Sequence, residues 1–446
     1  MVEQQYTDLF EQYRGELDAN SAEGLNRHRD AAFDIFRQTG FPSSVQEDYR
    51  RSDIVRRFDA DLGLNLRNIP VPVNPHEAFR CNVPDISTHT FILINDRYYD
   101  SAAPAEGLPD GVFAGSLRQF AEAYPAQFDA HYARIADMAG DGVAAYNTMF
   151  ARDGFALYVP ANVEVEKPLQ LINILHGGVD LNVNRRILII AGENARVKLL
   201  VCDHTADDVR FVVTQVTEMF ADTSARVDFY ELEDNSEKVT RLSSLFCEQR
   251  GHSEVVTDSI TLHNGYTRNN CRFRLSGKHA ATHVGGLAIC DKKQHIDSFA
   301  FLDHAMPGCT SSELFRNVLK DEATGAFCGK IRVRTDAQKT QAYQTNRNLV
   351  LSDTARMFSR PLLEIYADDV KCSHGLTTGQ LDEEALFYMR ARGISREEAR
   401  LLLMTAFTRD VVDMIRIPAL REQLTTLIDK RFRGELTHCG NSGIYK

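Results

Sequence analysis

The chain has 446 residues, of which 43% are hydrophobic and 25% charged, and 51 basic against 62 acidic side chains leave a net charge of −11. These are globular proportions with apolar residues enough for a substantial core, and the length exceeds one ordinary compact domain unless an elongated repeat fills much of it. The acidic balance argues against a general nucleic-acid or anionic-membrane binder, because either needs basic patches.

No apolar run approaches the roughly 20 residues of a membrane span. The polar start "MVEQQYTDLFEQYRGEL" does not read as a signal peptide. A cytoplasmic location is expected. Cysteines at 81, 202, 247, 271, 290, 309, 328, 372 and 439 are odd in number, widely spaced and without a Cys-x-x-Cys pair. That pattern suits neither a disulfide framework nor a zinc ribbon, and most are expected to be small core residues in a reducing compartment.

Three regions separate by texture: 1–150, 151–378 and 379–446. In the first, Leu9, Phe10, Tyr13 and Leu17 recur at helical spacing, as do Leu25, Ala32 and Phe36. "TGFP" at 39–42 is a helix stop, with glycine at the end and proline beyond it. The proline-rich "NIPVPVNP" follows, then an apolar strand in "HTFILIND", then helical patterns in "LRQFAEAY" and "QFDAHYARIAD".

In the second region, short runs of Val, Ile, Leu, Phe and Thr alternate with Gly, Asn, Asp and Ser breaks. The segments "AGENARVKLLV", "ADTSARVDFYEL", "QRGHSEVVTDSITL", "SGKHAATHVGGLAI" and "DEATGAFCGKIRV" echo one another. Each has a polar turn, a small residue and an alternating strand, at a spacing of roughly 25–30 residues that suits the coils of a repeat architecture. Pattern alone leaves a β-helix and a β-sandwich equally open.

The third region is helical again. "SREE" at 395–398 offers a capping box, with Ser395 as N-cap and Glu398 reaching back. Ala399, Leu402, Leu403, Ala406 and Phe407 form one expected apolar face, and Leu420, Leu424, Leu427, Ile428 and Phe432 a second after Pro418. Two such faces pack on the chain's own body or receive a partner, and packing is the commoner use.

Familiar catalytic signatures are missing. "GAFCGKI" at 325–331 has the wrong spacing for a phosphate-binding loop, and there is no Gly-x-Ser-x-Gly, His-Glu-x-x-His or dinucleotide fingerprint. His252, His263, His279, His283, His295 and His304 cluster in the strand region, where isolated polar residues on exposed coil faces are the expected reading. "DDVKCSHGLTTG" at 368–379 stands apart. In an extended strand Cys372 and His374 point the same way, and a thiolate beside an imidazole can ligate a metal or form a nucleophile–base pair, although composition alone favours a buried thiol beside a surface imidazole. The neighbouring Asp368 and Asp369 are expected to raise the thiol pKa.

The stretch 346–394, "NRNLVLSDTARMFSRPLLEIYADDVKCSHGLTTGQLDEEALFYMRARGI", resembles the signature of the SufB/SufD family of iron–sulfur cluster assembly proteins, as do 147–171 and 334–353. "TGFPSSVQEDYRRSDI" is similar to the family's entry segment, with Tyr49 where tryptophan is usual. Within the family, "TDAQKTQAYQTNRNLVLS" is most like the SufD branch. The resemblance implies a right-handed parallel β-helix between helical end regions, and a non-catalytic scaffold role. It implies a heterodimer with a SufB-like paralogue, a SufC-like ATPase on the C-terminal helices, and a homodimer as the alternative for the isolated chain. It places Cys372 and His374 at the partner interface as ligands of iron or of a transient iron–sulfur cluster. It also associates reduced flavin with the complex, although no motif here identifies a flavin site. A β-helix carbohydrate-active enzyme and a homodimeric β-helix binding protein are the rival readings. The first wants a paired-carboxylate groove, and only the scaffold requires an ATPase partner.

Overall fold

An alternating strand has one apolar side, and a coil of two such strands encloses no core until another coil stacks on it. In the computed structural model, which describes residues 2–58, 61–66, 69, 88–99 and 107–436, the strands of the middle region stack into a parallel two-sheet β-helix. Successive strands enter alternate sheets. The first sheet takes Phe155–Val159, Leu181–Ala191, Phe211–Ala221, Val239–Gln249, Tyr266–Leu275, His295–His304, Thr324–Val333 and Arg356–Ile365. The second takes Leu169–Leu175, Arg196–Thr205, Arg226–Asp234, Glu254–His263, Ala281–Cys290, Thr310–Leu319, Gln341–Val350 and Lys371–Gly379. These strands pair in parallel throughout, which decides against the antiparallel sandwich.

The register Arg196–Arg226–Glu254–Ala281–Thr310–Gln341–Lys371 steps by 27 to 31 residues, so the echo in the sequence is the coil repeat. Its small residue has a physical role. Ala195, Ala225, Ser253, Ala280, Cys309 and Thr340 are buried at successive corners. Just before them Asn194, Ser224, His252, His279, Gly308 and Lys339 take φ between 58° and 73°, which turns the chain inward. Left-handed backbone costs a non-glycine residue about 1 kcal/mol. Each of these residues regains a ladder bond, donating its N–H to the next turn: Asn194 to Thr223, Ser224 to Gly251, His252 to Lys278 and so on to Lys339 and Asp369.

Leu157, Ile189, Leu199, Phe229, Val255, Phe273, Leu302 and Phe327 belong to the core between the sheets. Charge is buried there too: Asp203 pairs with Arg185 and with Arg241, and Arg241 also holds Glu231 at 2.6 Å. Such charges persist in an interior only when paired and hydrogen-bonded.

The N-terminal region closes the early coils. Helices Val2–Ala19, Arg29–Thr39 and Gly142–Phe150 bury Tyr6, Phe10, Leu17, Ala32, Phe36, Tyr146 and Phe150 against Val212, Leu242 and Tyr266 of the first sheet. Gly40, at φ 63°, ends the second of these helices at the expected stop. Strand His89–Ile94 pairs with Leu169–Leu175 and extends the second sheet. "NIPVPVNP" lies outside the described residues apart from Ile69. Tyr49 is buried, donates to Asp141 at 3.0 Å and carries the Arg268 guanidinium over its ring. It ties the entry segment to the sheet.

The tail forms helices Glu383–Ala391, Arg396–Val412 and Pro418–Arg433. Ser395 caps the second by accepting from the Glu398 N–H at 3.1 Å. The reciprocal half of the box is not made, because the Glu398 carboxylate pairs with Arg433 instead. The expected face of this helix is also corrected. Ala399, Leu401, Met404, Thr408, Val411 and Val412 are buried, whereas Leu402 is 43% exposed and Ala406 faces solvent. The expected face of the third helix is right: Leu420, Leu424, Leu427 and Ile428 pack with Val411, Val412 and Ile415 on Leu200, Tyr230, Ile260 and Leu287 of the second sheet.

Candidate functional site

Cys372 and His374 lie on Lys371–Gly379, the outermost strand of the second sheet, which pairs on one side only, with Gln341–Val350. Two interior rows lead to them. Val197, Val227, Val255, Thr282, Ser311 and Ala342 run in register to Cys372. Leu169, Leu199, Phe229, Thr257, Val284, Glu313 and Gln344 run to His374. Cys372 packs on the interior core, so alternation places His374 on the same inward face, as expected from the sequence. Among the described residues no further strand pairs beyond this one, so inward-facing side chains remain accessible, and His374 is exposed. The rows also change chemistry along the axis. The His374 row is mostly apolar in the early coils and polar in the last three.

Burial raises the Cys372 thiol pKa, and a hydrogen bond with the Ala342 backbone opposes the rise. The expected direction is right, but its cause is desolvation and not Asp368 and Asp369. Those aspartates occupy the turn before the strand, where the Asp369 N–H donates to Gln338 and its carbonyl accepts from Lys339. Asn348 ties the site strand to its neighbour, donating to Thr378 at 3.2 Å and to the Thr377 carbonyl at 3.3 Å, and is itself steadied by Asn346 of its own strand at 2.7 Å.

The six clustered histidines do not converge. His252 and His279 stack at adjacent turns, His263 meets Asp234, His283 meets Ser312, and His295 stacks on Tyr266. His304 faces inward against Ser311, opposite in face to His295 on the same strand. Cys202, Cys247, Cys290 and Cys309 are buried, and burial pushes the Cys290 thiol up to about 12. Cys81 and Cys439 lie outside the described residues. Among the described residues no three His, Cys, Asp or Glu side chains are placed to hold a metal ion. Cys372 and His374 are therefore not joined by a third such side chain of this chain among the described residues. No helix among the described residues is long and apolar enough to cross a membrane.

Residues 174–407 match the family described as "SUF system FeS cluster assembly, SufBD core domain", and residues 1–171 match "SufBD protein N-terminal region". The chain belongs to the SufBD family. The family's work is iron–sulfur cluster assembly in the SUF system, and the resemblance read from 346–394 holds. The iron–sulfur cluster assembly protein SufD of Escherichia coli is 35% identical over 180 residues, 40% of this chain and 43% of that protein. A SufBD family protein of Synechocystis is 25% identical over 416 residues, 91% of each chain. SufD of Bacillus subtilis is 26% identical over 296 residues, 65% of this chain and 67% of that one.

Proposed function

We propose that this chain is a SufD-like scaffold subunit whose open last coil meets a SufB-like paralogue, with Cys372 and His374 supplying part of the ligand set for iron or a nascent cluster. One observation carries the reading: the soft thiol and the imidazole share the inward face of an edge strand that pairs on one side only. Thiolate suits iron and sulfide, imidazole suits iron, and a cluster built between two chains takes only some ligands from each. The cluster here is cargo, so the chain is read as a cytoplasmic scaffold and not as an enzyme. The strand's free backbone edge can add a partner strand in the manner of β-augmentation, and in the isolated chain a second copy can use the same edge.

The tail supports the second half of the proposal. Its third helix is committed to the β-helix, while Phe387, Tyr388 and Leu402 remain 72%, 57% and 43% exposed. We assign this apolar surface to a SufC-like ATPase. The test is anaerobic co-expression with the candidate partners, followed by mass, iron and sulfide analysis. His374→Ala is expected to leave the assembly intact and lower its iron and sulfide, with Cys372→Ser milder. Unchanged cluster content in the His374 variant removes that residue from the site. Phe387→Glu with Leu402→Glu is expected to lose the ATPase and keep the paralogue.

A further inference from the structure

The inward row beneath His374 contains two polar side chains that the core does not explain. Gln344 is directly under His374 in the parallel register, and Glu313 directly under Gln344. Each is 2% exposed. Gln344 Nε2 donates to Glu313 Oε2 at 2.7 Å. Gly329 on the facing sheet makes room for this pair, since a Cβ there would sit 2.1 Å from Gln344 Nε2 and 2.7 Å from Glu313 Oε2. Gln344 Oε1 is buried and has no hydrogen-bond partner.

A buried amide oxygen without a partner is costly, of the order of 1–3 kcal/mol. An amide whose nitrogen is drawn to the inner coil turns its oxygen the other way, and the next side chain along the row is the His374 imidazole, one strand spacing out. We propose that Gln344 is a positioning residue for His374: its Oε1 accepts the N–H of one ring nitrogen, which leaves the lone pair of the other nitrogen for iron. Ligating histidines are oriented in this way through their second nitrogen, which sets both tautomer and ring plane. Glu313 holds the amide in the required sense. Burial raises the Glu313 carboxyl to about 8, so the pair places little fixed negative charge beneath an anionic cluster. The inference rests on His374 being a ligand, and its test is independent of that assignment.

The full-length chain, labelled with 15N-histidine and free of iron, is studied by long-range 1H–15N correlation at pH 8, where ordinary imidazoles are neutral. Loss of one signal set in His374→Ala identifies the His374 ring. The expected wild-type result is one dominant tautomer. In Gln344→Met, which keeps the length and loses the strong acceptor, the tautomer ratio is expected to fall by roughly 3- to 10-fold, the effect of one neutral hydrogen bond. Gln344→Glu, which keeps an acceptor, is expected to restore the dominant tautomer. Unperturbed His295 and His304 signals report that each variant is folded. If Gln344→Met does not fold, Glu313→Leu is read in its place, with the same fall expected because the amide is no longer held. An unchanged ratio in the folded variant overturns the proposal, as does an even tautomer mixture in the wild type. Because no iron is involved, this failure is distinguishable from unchanged cluster content in His374→Ala, which would overturn the ligand assignment alone.

Discussion

The two ends of the β-helix use strands of similar length in the same parallel register, yet they face different surroundings. Leu181–Ala191, near the first end, is buried at every residue. Lys371–Gly379, at the last, is exposed at all but Cys372, which is half-buried. The early coils have helices packed on the outside and a strand added at the edge, and they tolerate buried charge where it is paired, as in Arg185–Asp203–Arg241. Glu218 shows how: it pairs with Arg186 and accepts from the backbone N–H groups of Ala133, Arg134, Ile135 and Ala136. A repeat protein requires polar caps at its ends to remain soluble. One end is capped here, and the other keeps a free strand edge with a thiol and an imidazole. The open end is the one suited to a partner.

That contrast breaks most sharply at the sealed end. Glu218→Ala leaves Arg186 uncompensated and four amides without their acceptor, so a loss of about 3–5 kcal/mol is expected in urea unfolding. A change below 1 kcal/mol would mean that the 132–136 segment holds without this clamp.

Glu313 sharpens the comparison two coils before the open strand. Its carboxyl is raised by burial from an ordinary 4.5 to about 8. The folded chain therefore keeps a proton that the unfolded chain has released, and the group's contribution to stability falls as pH rises from about 4.5 to about 8. Glu313→Gln lacks this slope. It should gain on the wild type by at most about 1.4 kcal/mol per pH unit across that window, read as urea midpoints at pH 5 and pH 7.5. A pH-independent difference would show that Glu313 is not titrating inside the fold.

The cysteines offer a smaller effect. In the isolated native chain Cys372 should be alkylated before Cys202, Cys247 and Cys290, since only its coil is uncovered, though more slowly than a free thiol because burial raises its pKa. Peptide mass analysis over time checks the order, and simultaneous labelling would mean the core opens as easily as the end. The smallest effect belongs to His374→Ala. The side chain stands on an exposed edge, and its removal admits water to the Gln344 amide oxygen in place of the ring N–H, so stability should change by no more than about 0.5 kcal/mol.

Much of this was legible in the chain itself. The turn–small residue–strand echo is the coil repeat, because each corner needs a tightly turned residue followed by one that fits inside. Cys372 and His374 sharing a face follows from strand alternation alone. Other features were not legible, for definite reasons. In "QAYQTNRN" the inward residues are Ala342, Gln344, Asn346 and Asn348, while Tyr343 points out and is 45% exposed. Hydropathy read there would turn the strand over and hide the Glu313–Gln344 pair. In the second tail helix three successive leucines, 401 to 403, left the phase of the apolar face ambiguous, and packing chose Leu401 over Leu402.

The sequence by itself determined the coil length, the strand phase at the site and the family, since these depend on the order of residues along one coil or on a long run of identities. The tertiary structure decided which sheet each strand joins, which polar side chains face inward, and which end stays open. Those outcomes depend on residues about 30 positions apart meeting across stacked coils, where an amide such as Gln344 fits inside because Glu313 in the coil beneath accepts its N–H and Gly329 on the facing sheet leaves it room.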